Sequence, residues 1–339
     1  MNRSTDTKEN AVFKYFIKKI LGLVPVFFGI TLISFFVIHL APGKPTDAGS
    51  AMNPKVSYES RERMEKMYGL DKPIHLQYVS WLKRFVVFDF GRSYIDDRPV
   101  SERILERIPV TLAINISSML LILGIGIPLG VLAAIKRNSL ADRFSTVFVF
   151  AGFSAPEFWI ALLAMSLFCI TLGWFPVSGI KSLDFEYMTL GGKILDVLWH
   201  MVLPVCIAAF GSLAGISRYM RSSVIGVMDL DFIRAARAKG ISETAVIFRH
   251  AVKNAILPVV TIIGLAVPGL IGGSVIFESI FAIPGMGRLF YDSVMARDYP
   301  TIMGVLSVGA ILTLFGSLLA DILYHAADPR IRVGGYAEK

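Results

Sequence analysis

Apolar runs too long for ordinary soluble helices recur along this chain, at 20–41, 110–135, 144–172, 197–216, 255–277 and 302–323. Each is near or beyond the ~20 residues an α-helix needs to cross a hydrocarbon core of ~30 Å. Backbone polar groups in lipid must be satisfied within the spanning segment, and helices do this. The expectation is an all-α polytopic membrane protein with six transmembrane helices. Two or three soluble domains, which 339 residues would otherwise allow, are excluded by 54% hydrophobic against 18% charged residues and a mean hydropathy of +0.62. The first run follows Lys14, Lys18 and Lys19 and is too long, without a cleavage site, for a signal peptide.

The net charge of +8 reads as topology, not as nucleic-acid binding. Lys136, Arg137 and Arg143 fill one short loop. Arg218, Arg221, Arg234, Arg237, Lys239, Arg249 and Lys253 follow the fourth run, whereas the two short loops on the other side hold only Lys181, Lys193, Arg288 and Arg297; the basic residues of the long 42–109 segment count little in this rule. The positive-inside rule therefore expects both termini in the cytoplasm. The implied division is a cytoplasmic segment 1–19, a first span 20–41, a long extracytoplasmic loop 42–109, a five-helix core 110–323 and a cytoplasmic tail 324–339. Within the long loop, 59–67 reads as helix, 68–75 as a turn and 76–87 as an amphipathic aromatic helix. Cys169 and Cys206 each sit in an apolar run and predict no disulfide framework.

The most polar interior segment is 229–258. Asp229 and Asp231 can cap a helix start, Ala235, Ala236 and Ala238 favour helix, and Gly240 can supply a left-handed stop. Ser242 offers a second cap with Glu243 behind it, and a second helix runs towards Asn254. Two short helices hinged at a glycine, with a basic face, fit a groove on another protein.

The string Asp231-Phe-Ile-Arg-Ala-Ala-Arg-Ala-Lys-Gly240 through Phe248-Arg-His-Ala-Val-Lys-Asn254 resembles the coupling loop of permease subunits in ATP-binding-cassette importers, in its dipeptide, oligopeptide and nickel version. Arg234 stands where many members have Glu, and Lys253 where they have the Pro of a Leu-Pro pair; both departures fit the peptide-type branch. The stretches Tyr68-Gly-Leu-Asp71, Asp89-Phe-Gly91 and Glu278–Phe290 resemble the same branch. The resemblance implies a type I importer permease in a bacterial or archaeal cytoplasmic membrane. Asp231, Arg234, Ala235, Ala236, Arg237, Lys239, Gly240 and His250 would couple it to a separate ATPase. It also implies a second permease chain, related or identical, two ATPase subunits that hold ATP-Mg, an extracytoplasmic substrate-binding protein that the 42–109 loop would meet, and no cofactor on this chain.

Ionisable groups at membrane depth are expensive and therefore informative. Glu157, after Pro156, is the candidate for the translocation path, whereas Asp321 reads as interfacial. Pro268, with Gly269 among nearby glycines, would weaken its helix at mid-span where a gate could use it. Gly126/Gly130, Gly211/Gly215 and Gly269/Gly273 have the spacing of close helix contacts, and Pro128 and Pro204 interrupt their spans. Glu278–Thr301 shapes the outer mouth. No phosphate loop, His-Glu-x-x-His or Gly-x-Ser-x-Gly is present, and the histidines lack metal spacing, so an enzyme is disfavoured. The competing class is an ion-coupled secondary transporter or channel without an ATPase, which would call for an inverted repeat and several intramembrane carboxylates.

Overall fold

The computed structural model describes residues 3–43, 45, 58–140, 142, 143, 147, 152, 155–267 and 269–327. Among these, the regular elements are all helices, with a lone bridge between Arg92 and Pro99. The helices are α1 (Arg3–Leu40), α2 (Tyr58–Tyr68), α3 (Ile74–Val86), α4 (Val100–Ile135) and α5 (Glu157–Ala164, continued by a π-helical turn Met165–Thr171). They continue with α6 (Leu190–Met228), α7 (Asp231–Ala238), α8 (Glu243–Ala266), α9 (Gly269–Gly272), α10 (Val275–Ile280), α11 (Met286–Met295) and α12 (Tyr299–Ala327). Five of them contain stretches long and apolar enough to cross a membrane, in α1, α4, α6, α8 and α12. The run expected at 144–172 lies partly outside the described residues; its described part ends in the shorter apolar helix Glu157–Thr171.

Several boundaries differ from the sequence reading, for identifiable reasons. α4 starts at Val100, ten residues before the expected span, because Pro99 ends the preceding loop in an extended conformation and the chain can coil directly after it. With 36 residues, α4 is about 54 Å long and overshoots a bilayer core. α6 has 39 residues and also overshoots, so Arg218 and Arg221 lie on its last turns and not in a loop. Both helices run through their prolines, Pro109 and Pro128 in α4 and Pro204 in α6, so these do not interrupt the spans. The fifth run does not form one helix over 255–277. α8 begins twelve residues earlier, and Gly273, left-handed at φ 67°, separates α9 from α10.

Among the described residues, the pair α4/α6 is the most extensively packed. Its seam is built on Gly126 and Gly130. A Cβ on Gly130 would stand 2.5 Å from the Ser217 carbonyl oxygen and 2.7 Å from Met220 Cβ, so only glycine lets the two backbones approach this closely. Gly130→Val is expected to lower stability by about 1–3 kcal/mol, read as a drop in detergent melting temperature, because α6 must move away. Gly269, in contrast, has open space around its Cα and marks no seam.

A core cluster of Ile114, Ala161, Leu203, Ile207, Phe277 and Phe281 ties α4, α5 and α6 to the α10 region. A second, with Val131, Met220, Val224, Ala255 and Val259, ties α4 and α6 to α8. α1 packs against α12, with α3 laid along it through Phe35, Trp81 and Met303. One end of the bundle thus gathers residues 58–103, 173–190 and 281–303; the opposite end gathers the 136–143 loop, the last turns of α6, and α7.

Candidate functional site

The segment 229–255 folds as an elbow at the second of these ends. α7 opens after Leu230, whose backbone occupies the N-cap; neither Asp229 nor Asp231 caps the helix with its side chain. Asp231 instead occupies the first turn, where its charge suits the positive helix end, and lies 3.6 Å from Arg234. The helix stops as the sequence anticipates. Gly240 is left-handed at φ 76°, its N–H donates to the Arg237 carbonyl at 2.9 Å, and the Ile241 N–H donates to the Ala236 carbonyl at 3.3 Å. This is the Schellman arrangement, which needs a residue free of a Cβ penalty at that position.

Ser242 takes the N-cap position of the next helix without a side-chain capping bond. Glu243 reaches back across the turn, accepting from Arg237 Nη2 at 2.7 Å and Nε at 3.1 Å. This bidentate, solvent-exposed pair spans the turn between α7 and α8. The second helix is not short: it passes through a π-helical stretch, Val246–Val252, and continues as a membrane-length helix to Ala266. α7 is therefore joined through one glycine turn to a spanning helix.

The buried side of the elbow consists of Ile233, Ala236, Val246 and Ala251, with Val227, Met228 and Ile241 packed against them. The opposite side is open. Arg234, Ala235 and Lys239 are exposed, and so are the apolar side chains of Leu230, Phe232 and Phe248, at 48%, 42% and 60%. Of the residues expected to couple, Ala236 is the inward anchor, Arg237 is half of the pair with Glu243, and His250 is half-buried on α8. Sequence reasoning singles out the basic and alanine positions and misses Leu230, Phe232 and Phe248. Leu230 and Phe232 flank the Ile233/Ala236 stripe at i−3 and i−4 spacing and Phe248 lies on α8, so no single helical stripe in the sequence marks them as exposed.

A second anchor holds the elbow's foundation. Asp142, buried in the 136–143 loop, accepts from Arg221 Nε at 2.6 Å and Nη2 at 2.8 Å, and from the Asn138 N–H at 2.9 Å. The hydrogen-bonded Arg221 guanidinium holds the Asp142 carboxyl below the usual carboxylate range. A carboxyl with a depressed folded pKa stabilises the fold fully above its unfolded value, about 3.9, and loses that contribution as pH falls through the folded value. Asp142→Asn is expected to cost about 1–3 kcal/mol at neutral pH. In acid titrations of detergent-solubilised protein, the gap to wild type should close only below about pH 4.

The expected translocation residues are not brought together with the elbow. Glu157 opens α5 after Pro156 and lines a small cavity of about 170 Å³ with Ile207, Phe210 and Gly211. Its carboxylate also suits the N-terminus of α5. Gly269 begins α9, and the Leu270 carbonyl accepts from Asn115 Nδ2 of α4 at 2.7 Å. Pro268 lies outside the described residues, as does the side chain of Asp321.

Two polar clusters at the opposite end escape the sequence reading. Glu278 is buried: its Oε1 accepts from Thr111 Oγ1 at 3.0 Å and its Oε2 from the Arg288 N–H at 3.0 Å, while Thr111 Oγ1 accepts from the Met286 N–H at 2.8 Å. The carboxylate thus sits at the positive end of α11 and staples the 281–288 turn to α4. Asp298, fully buried, accepts from Ser93 Oγ, Tyr94 N–H, Arg103 Nη1 and Thr301 Oγ1 at 2.6–2.9 Å. It binds the end of the first loop to the starts of α4 and α12. Among the described residues no group of His, Cys, Asp and Glu could hold a metal ion.

A multi-helix membrane core with a helical elbow at one end does not by itself assign a role, and comparison with known proteins does. Residues 126–333 match the family described as binding-protein-dependent transport system inner membrane component, and residues 12–115 match that family's N-terminal part. The chain belongs to this family. It is 43% identical over 318 residues to the oligopeptide transport system permease protein AppB of Bacillus subtilis, covering 94% of this chain and 98% of that one. It is 36% identical to the di/tripeptide transport system permease protein DppB of Pseudomonas aeruginosa over 94% and 98% of the two chains. Against the glutathione transport system permease protein GsiC of Escherichia coli K12 the figures are 35%, 95% and 99%. This permease is accordingly a multi-pass inner-membrane translocation chain.

Proposed function

We propose that this permease imports peptides in an importer energised by separate ATPase subunits, with the α7–α8 elbow as the point where force enters. The supporting observation is the elbow itself: a short helix with exposed Arg234, Ala235 and Phe232, bridged by Arg237–Glu243 and continuous through one glycine turn with a spanning helix. A push on α7 reaches α8 without an intervening flexible linker, which is the lever that rigid-body switching requires. ATP-Mg belongs to the ATPase partner in this reading. The remaining partners are a second permease chain, which completes the pore, and a substrate-binding protein on the other face. The concentration of Arg and Lys around the elbow supports its cytoplasmic placement, with both termini on the same side.

Peptide cargo is supported by the relatives named above, whose substrates are oligopeptides, di/tripeptides and glutathione, itself a tripeptide. The test is uptake of labelled di-, tri- and longer peptides into proteoliposomes holding the permeases, the ATPases and the binding protein. Uptake should require ATP and the binding protein together. Uptake driven by an ion gradient without the ATPase would overturn the reading.

A further inference from the structure

A cavity of about 280 Å³ opens at the first-loop end, between the last turns of α1, the α2–α3 turn, α3 and the first turn of α12. Its walls are rings. His39 stacks on Phe35 at 4.0 Å and tilts against Tyr299 at 4.6 Å; Tyr68 stacks on Tyr94 at 3.9 Å; Trp81 closes the side. Three cationic side chains, Lys66, Lys72 and Arg84, line it, and among the described residues no Asp or Glu does. Lys66 is already engaged with Glu62 at 2.7 Å, whereas Lys72 and Arg84 have no acidic partner among the described residues. Burial raises the pKa of the Tyr94 phenol, so it stays a neutral hydrogen-bond donor at physiological pH.

The depth of this cavity narrows what it can hold. Phe35 and His39 belong to the last turns of the span Lys18–Leu40, and Tyr299 and Met303 to the first turns of the span Tyr299–Leu319. The cavity therefore stands at the edge of the hydrocarbon layer, where headgroups lie. Below it, Phe28 and Leu32 continue the helical stripe of Phe35 and His39 along α1 and are exposed. Beside it, α3 presents Leu76, Val79 and Val86 on one exposed stripe, ending in exposed Val87 and Phe88, while its neighbouring stripe of Gln77, Ser80, Trp81 and Arg84 lines the cavity. An uncovered apolar helix face continuous with a membrane span, next to a ring-walled cationic cavity, matches a molecule with an anionic head and hydrocarbon chains.

We infer that the cavity binds the headgroup of an anionic phospholipid, with Lys72 and Arg84 on the phosphate and the acyl chains along α1 and α3. The leaflet concerned follows from the orientation proposed above; the binding itself does not depend on it. The test uses the full-length permease in nanodiscs of defined phosphatidylglycerol and phosphatidylcholine content, with retained lipid counted by native mass spectrometry after transfer to detergent. Wild type should retain phosphatidylglycerol over phosphatidylcholine, and Lys72→Gln/Arg84→Gln should lose on the order of tenfold of that preference. Lys83→Gln, on the same helix but outside the cavity lining, should keep it. Melting temperature of each variant separates lost lipid from lost fold, since the substituted side chains are exposed. Equal retention by wild type and the double variant in folded protein overturns the inference. So does displacement of the lipid by millimolar inorganic phosphate, which would make this a free-anion site. ATPase co-purification should be unchanged in the double variant, so failure here is distinguishable from failure of the elbow proposal.

Discussion

Asp298→Ala is expected to cost about 3–5 kcal/mol of stability, because it leaves a buried guanidinium without its closest carboxylate. Arg103 has only 14% of its side chain exposed, and its remaining acidic neighbour, Asp96, is 3.6 Å away. The same carboxylate also holds Ser93, the Tyr94 N–H and Thr301, so the first loop, α4 and α12 come apart together. The measurement is the melting temperature of purified protein for Asp298→Ala, Arg103→Leu and the double variant. The two single changes should be strongly non-additive, since the pair shares one buried site. A loss under about 1 kcal/mol for Asp298→Ala, or simple additivity, would contradict this assignment.

The second large effect concerns assembly. Phe232→Asp is expected to weaken capture of the ATPase by about 2 kcal/mol or more, roughly thirtyfold, as for a central apolar contact at a protein interface. It should leave the melting temperature of the isolated permease almost unchanged, because Phe232 is exposed and the inward anchors are Ile233 and Ala236. Co-purification of the ATPase from co-expressing cells, normalised to permease recovered, gives the number. Full co-purification with Phe232→Asp would remove the exposed face of α7 as the docking surface.

What is legible in the sequence is what is local. Runs of ~20 apolar residues, a Gly at the end of an alanine-rich helix, and a pair of glycines four apart each act through their own neighbours, and Gly240, Gly126 and Gly130 do what their context implies. The helices of the first loop are readable for the same reason: 59–67 and 76–87 fall within a residue or two of α2 and α3. The buried polar clusters are not. Asp298 meets Ser93 across 205 positions, and Glu278 meets Thr111 across 167. Neither spacing carries a periodic signal, and each residue alone reads as an ordinary loop carboxylate. Helix length is also beyond the sequence, because α4 and α6 overshoot the bilayer with polar turns that hydropathy assigns to loops. The fifth span is misplaced by hydropathy because apolar residues continue past Ala266, while the left-handed Gly273 ends the helical path.

The elbow's exposed face is the claim on which the functional account rests, and a site-directed cross-link tests it most directly. Arg234→Cys, in a variant whose Cys169 and Cys206 are replaced by Ala, places a thiol on the open side of α7. With a short bifunctional thiol reagent and the co-expressed ATPase carrying cysteines around its own docking groove, the expected product is a permease–ATPase adduct whose yield changes when ATP is added. Labelling of that introduced thiol from the extracytoplasmic side by an impermeant reagent, with no adduct formed, would contradict the account.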